Sequence, residues 1–188
     1  MPYILGDPYI ILVIPAFLFS LYAQYKVKST FNKYRKVRNA SGITGAEIAR
    51  IILDRNGLHD INVERTKGNL TDHYDPKRRV VRLSETVYSS ASVAAVGVAA
   101  HETGHAVQHK VGYMPLAFRN SFVPLAGLGS SAGPYMAVIG LIFGLKILTY
   151  AGIILFTAAV LFYLVTLPVE FNASRRAIGT LEDSNVLT

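Results

Sequence analysis

The chain of 188 residues contains no cysteine. This absence excludes disulfide bonds, thiolate metal ligands and cysteine nucleophiles, so any metal must be held by histidine and carboxylate side chains. Charged residues are also scarce, at 16% of the chain, whereas 51% of the residues are hydrophobic. The hydrophobic residues cluster in a few long runs instead of spreading evenly as in a soluble core. This distribution is typical of an integral membrane protein.

Acidic residues are absent between Lys26 and Glu47, a stretch that begins with a block of lysines and arginines. The net charge of +7 can indicate nucleic-acid binding. However, this block directly follows the first hydrophobic run, and short loops rich in Lys and Arg remain in the cytoplasm. We therefore predict a basic juxtamembrane segment at residues 26–40, an N-terminus outside the cell and no nucleic-acid partner. A lipid-headgroup anchor and a solvated surface are alternative interpretations that are compatible with this topology.

Three hydrophobic runs approach the roughly 20 residues that a helix needs to cross a bilayer. We predict transmembrane helices at residues 3–25, 122–145 and 147–167, with the last two forming a helical hairpin. A cleaved signal peptide explains the first run less well, because the positive charges follow the run instead of preceding it. Small residues between positions 127 and 133 would allow the two helices of the hairpin to approach closely.

Residues 41–112 contain the helix caps and turn residues that are typical of a small water-facing domain. Thr44 and Glu47 form a capping-box pattern that begins an amphipathic helix. A turn at Asp75-Pro76-Lys77 between two strand-like segments predicts a β-hairpin. A serine-rich stretch then precedes a helix predicted at residues 93–110. The predicted fold class is a mainly α membrane protein with a small α+β domain that contains a short β-hairpin.

The helix predicted at residues 93–110 contains the sequence His101-Glu102-Thr103-Gly104-His105. Two histidines four residues apart present both imidazoles on one helical face, with a carboxylate beside them, as in zinc hydrolases. Zinc in such enzymes takes three protein ligands and leaves a fourth position for water. We therefore predict that His101 and His105 bind Zn²⁺. Glu102 is the predicted general base, which takes the proton of the water and passes it to the leaving amine.

A chance match and simple surface polarity are the alternative explanations of so short a motif. The residues that precede it, 93–100, are all small or apolar and predict a buried helix. Histidine and glutamate side chains on a buried helix require polar or metal partners. This context favours the metal site.

The third zinc ligand is not contained in the motif. His109 lies on the same helical face, but at about 1.5 Å per residue it is roughly 12 Å from His101 along the helix. One metal ion cannot bind both of them. His59 and His73 precede the helix, and we interpret them as polar residues of the surface or of a substrate cleft.

Glu170, which closely follows the third predicted span, is the leading candidate for the third ligand. Two spans separate it from His105, so the chain crosses the membrane and returns to the side of the first two ligands. A glutamate at this position could instead fix the end of a membrane helix or pair with Arg175 or Arg176. The pattern alone leaves both interpretations open.

Two separated motifs, HETGH at 101–105 and VEFNASRRA at 169–177, flank the hydrophobic hairpin. With these features the chain resembles the membrane-bound neutral zinc metallopeptidases of the YugP type and, more distantly, the HtpX and CAAX-prenyl protease groups. The resemblance covers essentially the whole chain. It implies a gluzincin-like, zincin-type catalytic domain with zinc held by the two motif histidines and Glu170, and with Glu102 as the base.

The chain departs from this resemblance in two places. The distant groups carry an aspartate four residues after the glutamate ligand, where this chain has Ser174, so a carboxylate that would orient a zinc histidine is missing. Asn172 is the first candidate for that role, and Ser174 is the second. YugP-type proteins continue into a further hydrophobic segment, whereas this sequence ends at Thr188. The ligand helix predicted at residues 168–188 therefore belongs to a truncated chain or to an unusually short member.

A peptidase holds its substrate extended, commonly along the edge of a sheet. The hairpin between residues 70 and 83 is the candidate edge, with Asp72, His73 and Tyr74 at the cleft. A hairpin that merely covers the domain is an equal alternative. The residue that stabilises the oxyanion is not identifiable from the pattern. The candidates are His73, Tyr74, Arg175 and Arg176.

Together these features predict a membrane-embedded zinc endopeptidase of the bacterial plasma membrane, with its catalytic site on the cytoplasmic side. The expected substrates are proteins or peptides near the bilayer, and other membrane proteins are candidate partners. The alternative is a noncatalytic metal-binding scaffold or adaptor that retains the protease fold, although a scaffold does not need Glu102. A transporter is disfavoured because Lys146 is the only charged residue between positions 122 and 167.

Overall fold

The computed structural model describes residues 10–184, which form six helices and three short strands. The elements are α1 (Ile10–Tyr34), α2 (Gly45–Arg55), β1 (Asn62–Thr66), β2 (His73–Asp75), β3 (Val80–Ser84), α3 (Glu85–Tyr88), α4 (Val93–Lys110), α5 (Met114–Ile142) and α6 (Lys146–Ser184). The span predicted at residues 3–25 falls partly outside the described residues. Its described part belongs to α1, which runs without a break into the predicted basic segment at 26–40.

The core of the small domain lies between α2, α4 and the sheet. The capping box that begins α2 is formed: the backbone N–H of Thr44 donates to Glu47 Oε2 at 2.8 Å, and that of Glu47 donates to Thr44 Oγ1 at 3.3 Å. The apolar face of the helix then buries Ile48 and Ile52 in a cluster that also contains Leu83 of β3. Burial of side chains of this size stabilises the fold by about 1.5–3 kcal/mol each.

The three strands form one sheet in the order β1-β3-β2. β1 runs parallel to β3, whereas β2 and β3 are antiparallel and form the predicted hairpin, with His73 opposite Arg82. Its turn is stabilised by Asp75, whose Oδ1 accepts hydrogen bonds from the backbone N–H groups of Lys77 and Arg78 at 3.0 and 3.1 Å. This order leaves β2 at one edge of the sheet, next to α4.

α5 and α6 pack along each other as a long helical hairpin. Gly144 makes the turn with φ +69°, a conformation that favours glycine. Glycines also allow the backbones to approach closely. A Cβ atom on Gly129 would lie 2.7 Å from the backbone oxygen of Leu155, and one on Gly133 would lie 3.0 Å from that of Gly152. Small residues thus set the spacing of the hairpin, as the sequence predicts for this region.

The structure corrects the predicted start of the second hydrophobic helix. α5 begins at Met114, well before the predicted residue 122. Pro115 lies in its first turn, where the missing N–H group of proline leaves no hydrogen bond unmade. The additional turns extend α5 back to the end of α4.

The structure also corrects the predicted end of the third hydrophobic helix. Residues 147–167 and 168–188 were predicted as separate elements, but α6 continues through Pro168 as one helix to Ser184. Proline removes one backbone hydrogen bond of the helix. The burial of Val169 and Ala173 beside α4 offsets this loss. Glu170 therefore lies within the same long helix as the apolar run.

Candidate metal centre

His101 and His105 lie one turn apart on α4, with their ring centroids 4.8 Å apart in an edge-to-face arrangement. Glu170 of α6 contacts both rings. Its Oε2 lies 3.2 Å from His101 Nε2 and 3.5 Å from His105 Nε2. The potential ligand atoms of the three residues all lie within 4.8 Å of one another. The structure thus brings together the three side chains that were predicted to hold zinc.

This group fits a zinc ion in both geometry and chemistry. Zinc binds histidine nitrogens and carboxylate oxygens at about 2.0–2.2 Å in tetrahedral sites, which places neighbouring ligand atoms roughly 3.3 Å apart. The two distances from Glu170 Oε2 to the histidine nitrogens, 3.2 and 3.5 Å, agree with this separation. Two imidazoles and one carboxylate also form a donor set of catalytic zinc sites, which keep one position open.

Gly104, the fourth residue of the motif, sets the distance between α4 and α6. A Cβ atom at this position would lie 2.8 Å from the backbone oxygen of Ala173, closer than Cβ atoms come to other atoms in real structures. A larger residue would therefore force the two helices apart. The absence of a side chain at Gly104 allows Glu170 and Ser174 of α6 to meet the histidines.

Gln108 fixes the orientation of the His105 ring through a hydrogen bond at Nδ1. The side-chain amide nitrogen of Gln108 donates to Val169 O and to Asn172 Oδ1, both at 2.9 Å. Its oxygen is therefore the atom that faces Nδ1 of His105, at 2.9 Å, and accepts the hydrogen of that nitrogen. With the hydrogen on Nδ1, the lone pair of His105 Nε2 is free to bind a metal.

Ser174 and Asn172, the two candidates for orienting a zinc histidine, occupy different places. Ser174 Oγ lies 3.2 Å from Nδ1 of His101, on the side of the ring away from Glu170. Among the contacts of the described chain, Asn172 reaches the histidines only through Gln108. Ser174 thus occupies the place next to the first histidine, and Asn172 lies one hydrogen bond further out.

The electrostatic environment of Glu102 differs from that of an exposed glutamate. Burial raises the pKa of the Glu102 carboxyl group, and the two neighbouring histidines oppose this effect. In the same site the hydrogen bond to Glu170 raises the pKa of His101. A carboxylate with a raised pKa accepts a proton more readily near neutral pH, which suits a general base.

A cavity of about 150 Å³ opens beside the three candidate ligands. Its lining residues come from α4, from α6, from the β2 edge and from the first turns of α5: Asp72, His73, Tyr74, Pro76, His101, Glu102, His105, Leu116, Arg119, Asn120 and Glu170. His73 and Tyr74 are therefore next to the candidate metal position. Burial raises the pKa of Tyr74, so its hydroxyl group remains a hydrogen-bond donor well above neutral pH.

The two arginines that were predicted as oxyanion candidates lie elsewhere. Neither is among the described residues that line the cavity. Arg176 Nε donates to Asn172 Oδ1 at 2.8 Å, and its side chain lines a different cavity between α2, α4 and α6. Arg175 is exposed. Their position on the ligand helix did not bring them to the ligands, because a helix turns successive side chains to different faces.

The remaining histidines have other partners. His59 Nδ1 lies 2.9 Å from a carboxylate oxygen of Asp54. His109 Nδ1 lies 2.8 Å from the hydroxyl oxygen of Tyr74, so it contacts the rim of the site. The helix geometry that separates His109 from the first histidine is present in α4 as expected.

Three residues of the site were missed by sequence reasoning. Arg119 Nη2 lies 3.0 Å from Glu170 Oε1, and Asn120 lines the cavity. Both lie in the part of α5 that precedes the predicted start at residue 122; Pro115 is the helix-start signal that could have revealed it. Gln108 follows the second histidine by three residues, a spacing at which helical side chains meet.

Comparison with known proteins extends over nearly the whole chain. The sequence model of a family described as "Putative neutral zinc metallopeptidase" matches residues 9–188. The "Putative membrane protease YugP" of Bacillus subtilis (strain 168) is 54% identical over 169 residues, which cover 90% of this chain and 75% of that protein. No solved structure matches the chain. The family description names zinc, the metal that the donor set of the site fits.

Proposed function

The chain belongs to the family described as "Putative neutral zinc metallopeptidase", and we propose that it is a membrane-embedded endopeptidase with zinc held by His101, His105 and Glu170. The observation that carries this proposal is the convergence of these three side chains with the carboxylate of Glu102 in one cavity. Structural zinc sites are closed by a fourth protein ligand, whereas this group opens into the cavity. An open site supports a catalytic role.

The proposed reaction is direct hydrolysis of a peptide bond. Zinc, when bound there, supplies a Lewis acid that lowers the pKa of water towards neutrality and polarises the scissile carbonyl group. Glu102 accepts the proton of the attacking water on its carboxylate and donates it to the leaving amine. No covalent intermediate with the protein forms. Tyr74, which lines the same cavity, is the proposed hydrogen-bond donor to the oxyanion. His73 also lines the cavity, but the oxygen of Thr71 accepts its Nδ1 hydrogen at 2.8 Å, so His73 can donate to the oxyanion only through Nε2 of the protonated ring.

We propose that the substrate binds in an extended conformation along β2. Among the residues that the structure describes, this strand pairs with β3 on one side only, and its first two residues line the cavity. The backbone groups on the free edge of a strand can pair with a peptide that lies beside it. This arrangement favours unfolded or locally unfolded protein segments as substrates.

The membrane position is also part of the proposal. Among the described residues, two helices are long and apolar enough to cross a membrane, judged by length and composition: Met114–Ile142 and Lys146–Glu182. Large apolar side chains near their shared turn, such as Leu141 and Ile142, are exposed. Extended apolar surface of this kind supports contact with lipid. We propose that α5 and α6 span the membrane and that the basic residues of α1 keep the catalytic domain on the cytoplasmic side.

Glu102→Gln separates an enzyme from a noncatalytic scaffold. The full chain, purified in detergent, is assayed for bound zinc and for hydrolysis of a panel of unfolded proteins. We expect stoichiometric zinc in wild type and variant, and a loss of hydrolysis of about 100-fold or more in Glu102→Gln. Glu182→Gln, at an exposed position near the end of α6, is the matched control and should retain activity.

Two outcomes of this experiment would contradict the proposed function. Bound zinc without hydrolysis of any substrate would contradict the proposed enzyme, and so would hydrolysis that is unchanged in Glu102→Gln and therefore does not come from this site. Either outcome would favour the scaffold that retains the fold and the metal.

A further inference from the structure

The two carboxylate oxygens of Glu170 face different partners. Oε2 lies near the Nε2 atoms of both histidines, at 3.2 Å from His101 and 3.5 Å from His105. Oε1 lies 3.0 Å from Nη2 of Arg119, a residue of α5. We propose that Arg119 is a positioning residue that keeps Oε1 away from the metal, so that Glu170 binds zinc through Oε2 alone. This proposal rests on the zinc site of the proposed function.

The number of oxygens that Glu170 presents matters because a catalytic zinc needs an open position. Two histidine nitrogens and one carboxylate oxygen leave that position free. A carboxylate that bound through both oxygens would occupy it. A hydrogen bond between charged groups is roughly twice as strong as one between neutral groups, so Arg119 holds Oε1 in place more firmly than a neutral donor would.

The surroundings of the pair favour a lasting interaction. The side chain of Arg119 is 31% exposed and that of Glu170 is 38% exposed, so the pair is partly shielded from water and salt. Arg119 comes from α5, whereas the histidines are on α4 and the carboxylate is on α6. The orientation of Glu170 therefore depends on three helices, and α5 contributes through the carboxylate oxygen that the histidines do not contact.

Arg119 also lines the cavity, so direct contact with the substrate is the competing role. The two roles differ in what they change. A residue that only binds substrate leaves the metal site unaltered when it is replaced. A residue that positions Glu170 changes the metal affinity and the coordination number even in the absence of substrate.

The test uses the full chain with zinc removed and then restored, or replaced by Co²⁺. Zinc affinity is measured by chelator competition, and coordination number by the visible absorption of Co²⁺, which is strongest in four-coordinate sites. In Arg119→Met we expect Co²⁺ absorption to weaken, because Oε1 becomes free to occupy the open position. We expect zinc affinity to rise about 10-fold, because the metal gains a ligand oxygen and loses a neighbouring positive charge. Arg119→Lys should reverse part of both changes, because it restores the charge without the fork of the guanidinium. Arg55→Met, at an exposed arginine of α2, should change neither.

Unchanged zinc affinity and Co²⁺ absorption in Arg119→Met would overturn the proposal, and a loss of hydrolysis alone would assign Arg119 to substrate contact. Circular dichroism verifies the fold, and Arg119→Gln provides the same two measurements if Arg119→Met does not fold. Failure of the proposed function has a different signature. Hydrolysis would then not depend on Glu102, while the effect of Arg119→Met on the Co²⁺ spectrum would persist.

Discussion

Replacing Gly104 with alanine tests whether the spacing of α4 and α6 determines the metal site. In the interior of a helix, alanine is more favourable than glycine by about 1 kcal/mol. At this position, however, the new methyl group would lie 2.8 Å from the backbone oxygen of Ala173, an atom that cannot rotate away. Overpacking of this kind costs about 1–3 kcal/mol. The steric cost exceeds the helix gain over most of this range, so the free energy of unfolding should decrease by up to about 2 kcal/mol.

The same substitution should weaken zinc binding. The new Cβ atom would lie 2.8 Å from the backbone oxygen of Ala173, whereas ordinary van der Waals contact begins at 3.4 Å. The backbone of α6 must therefore move away from α4 by several tenths of an ångström. Glu170 and Ser174 share a helical face with Ala173 and would move away from His101 together. We expect the zinc affinity of Gly104→Ala to fall about 10-fold, measured by chelator competition, with the unfolding free energy taken from denaturant titration.

Gly97→Ala is the control on the same helix. Among the described residues, and apart from the adjoining residues and the backbone of α4 itself, no atom lies within 4 Å of the position that its Cβ would take, so only the helix propensity changes. We expect stabilisation of about 0.5–1 kcal/mol and unchanged zinc affinity. The reasoning is refuted if Gly104→Ala is stabilised as much as Gly97→Ala and binds zinc as tightly as the wild type.

Two further predictions concern the support of the site and its position relative to the membrane. Gln108→Leu should lower zinc affinity about 10-fold or more, because His105 loses the acceptor of its Nδ1 hydrogen. Gln24→Leu, at an exposed glutamine of α1, is the control and should leave the affinity unchanged. Equal affinities of the two variants in chelator competition would contradict this prediction. Because the chain has no cysteine, single cysteines can report which side of the membrane a residue faces. An impermeant thiol reagent should label Lys146→Cys, at the turn between α5 and α6, in intact cells, but Asn69→Cys, in the catalytic domain, only after permeabilisation. The reverse pattern would contradict the proposed topology.

The structure gives the HETGH motif a second purpose besides the proposed metal binding. His101, Glu102 and His105 carry the proposed chemistry, and Gly104 permits the close approach of α6, the helix that carries Glu170, the proposed third ligand. Four of the five residues are therefore used at the site itself. Thr103, the remaining residue, is buried and its hydroxyl group donates to the carbonyl oxygens of the preceding turn. It contributes no polar group to the cavity.

Much of the local structure was predictable because its causes lie within a few residues. The capping box at Thr44 predicts the start of α2, and the serine before the small apolar run predicts α4 with the bounds Val93–Lys110. Prediction was poorer around two prolines, at the start of α5 and in the interior of α6. Pro115 begins a helix and Pro168 lies inside one, and only the packing of the flanking turns distinguishes these cases.

The sequence by itself determined the chemistry that is available to this protein. Without cysteine, a metal can use only histidine and carboxylate ligands, and the spacing of His101 and His105 places both on one face of any helix. Only the tertiary structure decided which distant groups meet them. The packing of α5 and α6 against α4, with a particular position along each helix axis and a particular rotation about it, brings three more side chains to the site: Arg119, Glu170 and Ser174. This packing depends on close contacts such as that at Gly104, which no local pattern specifies.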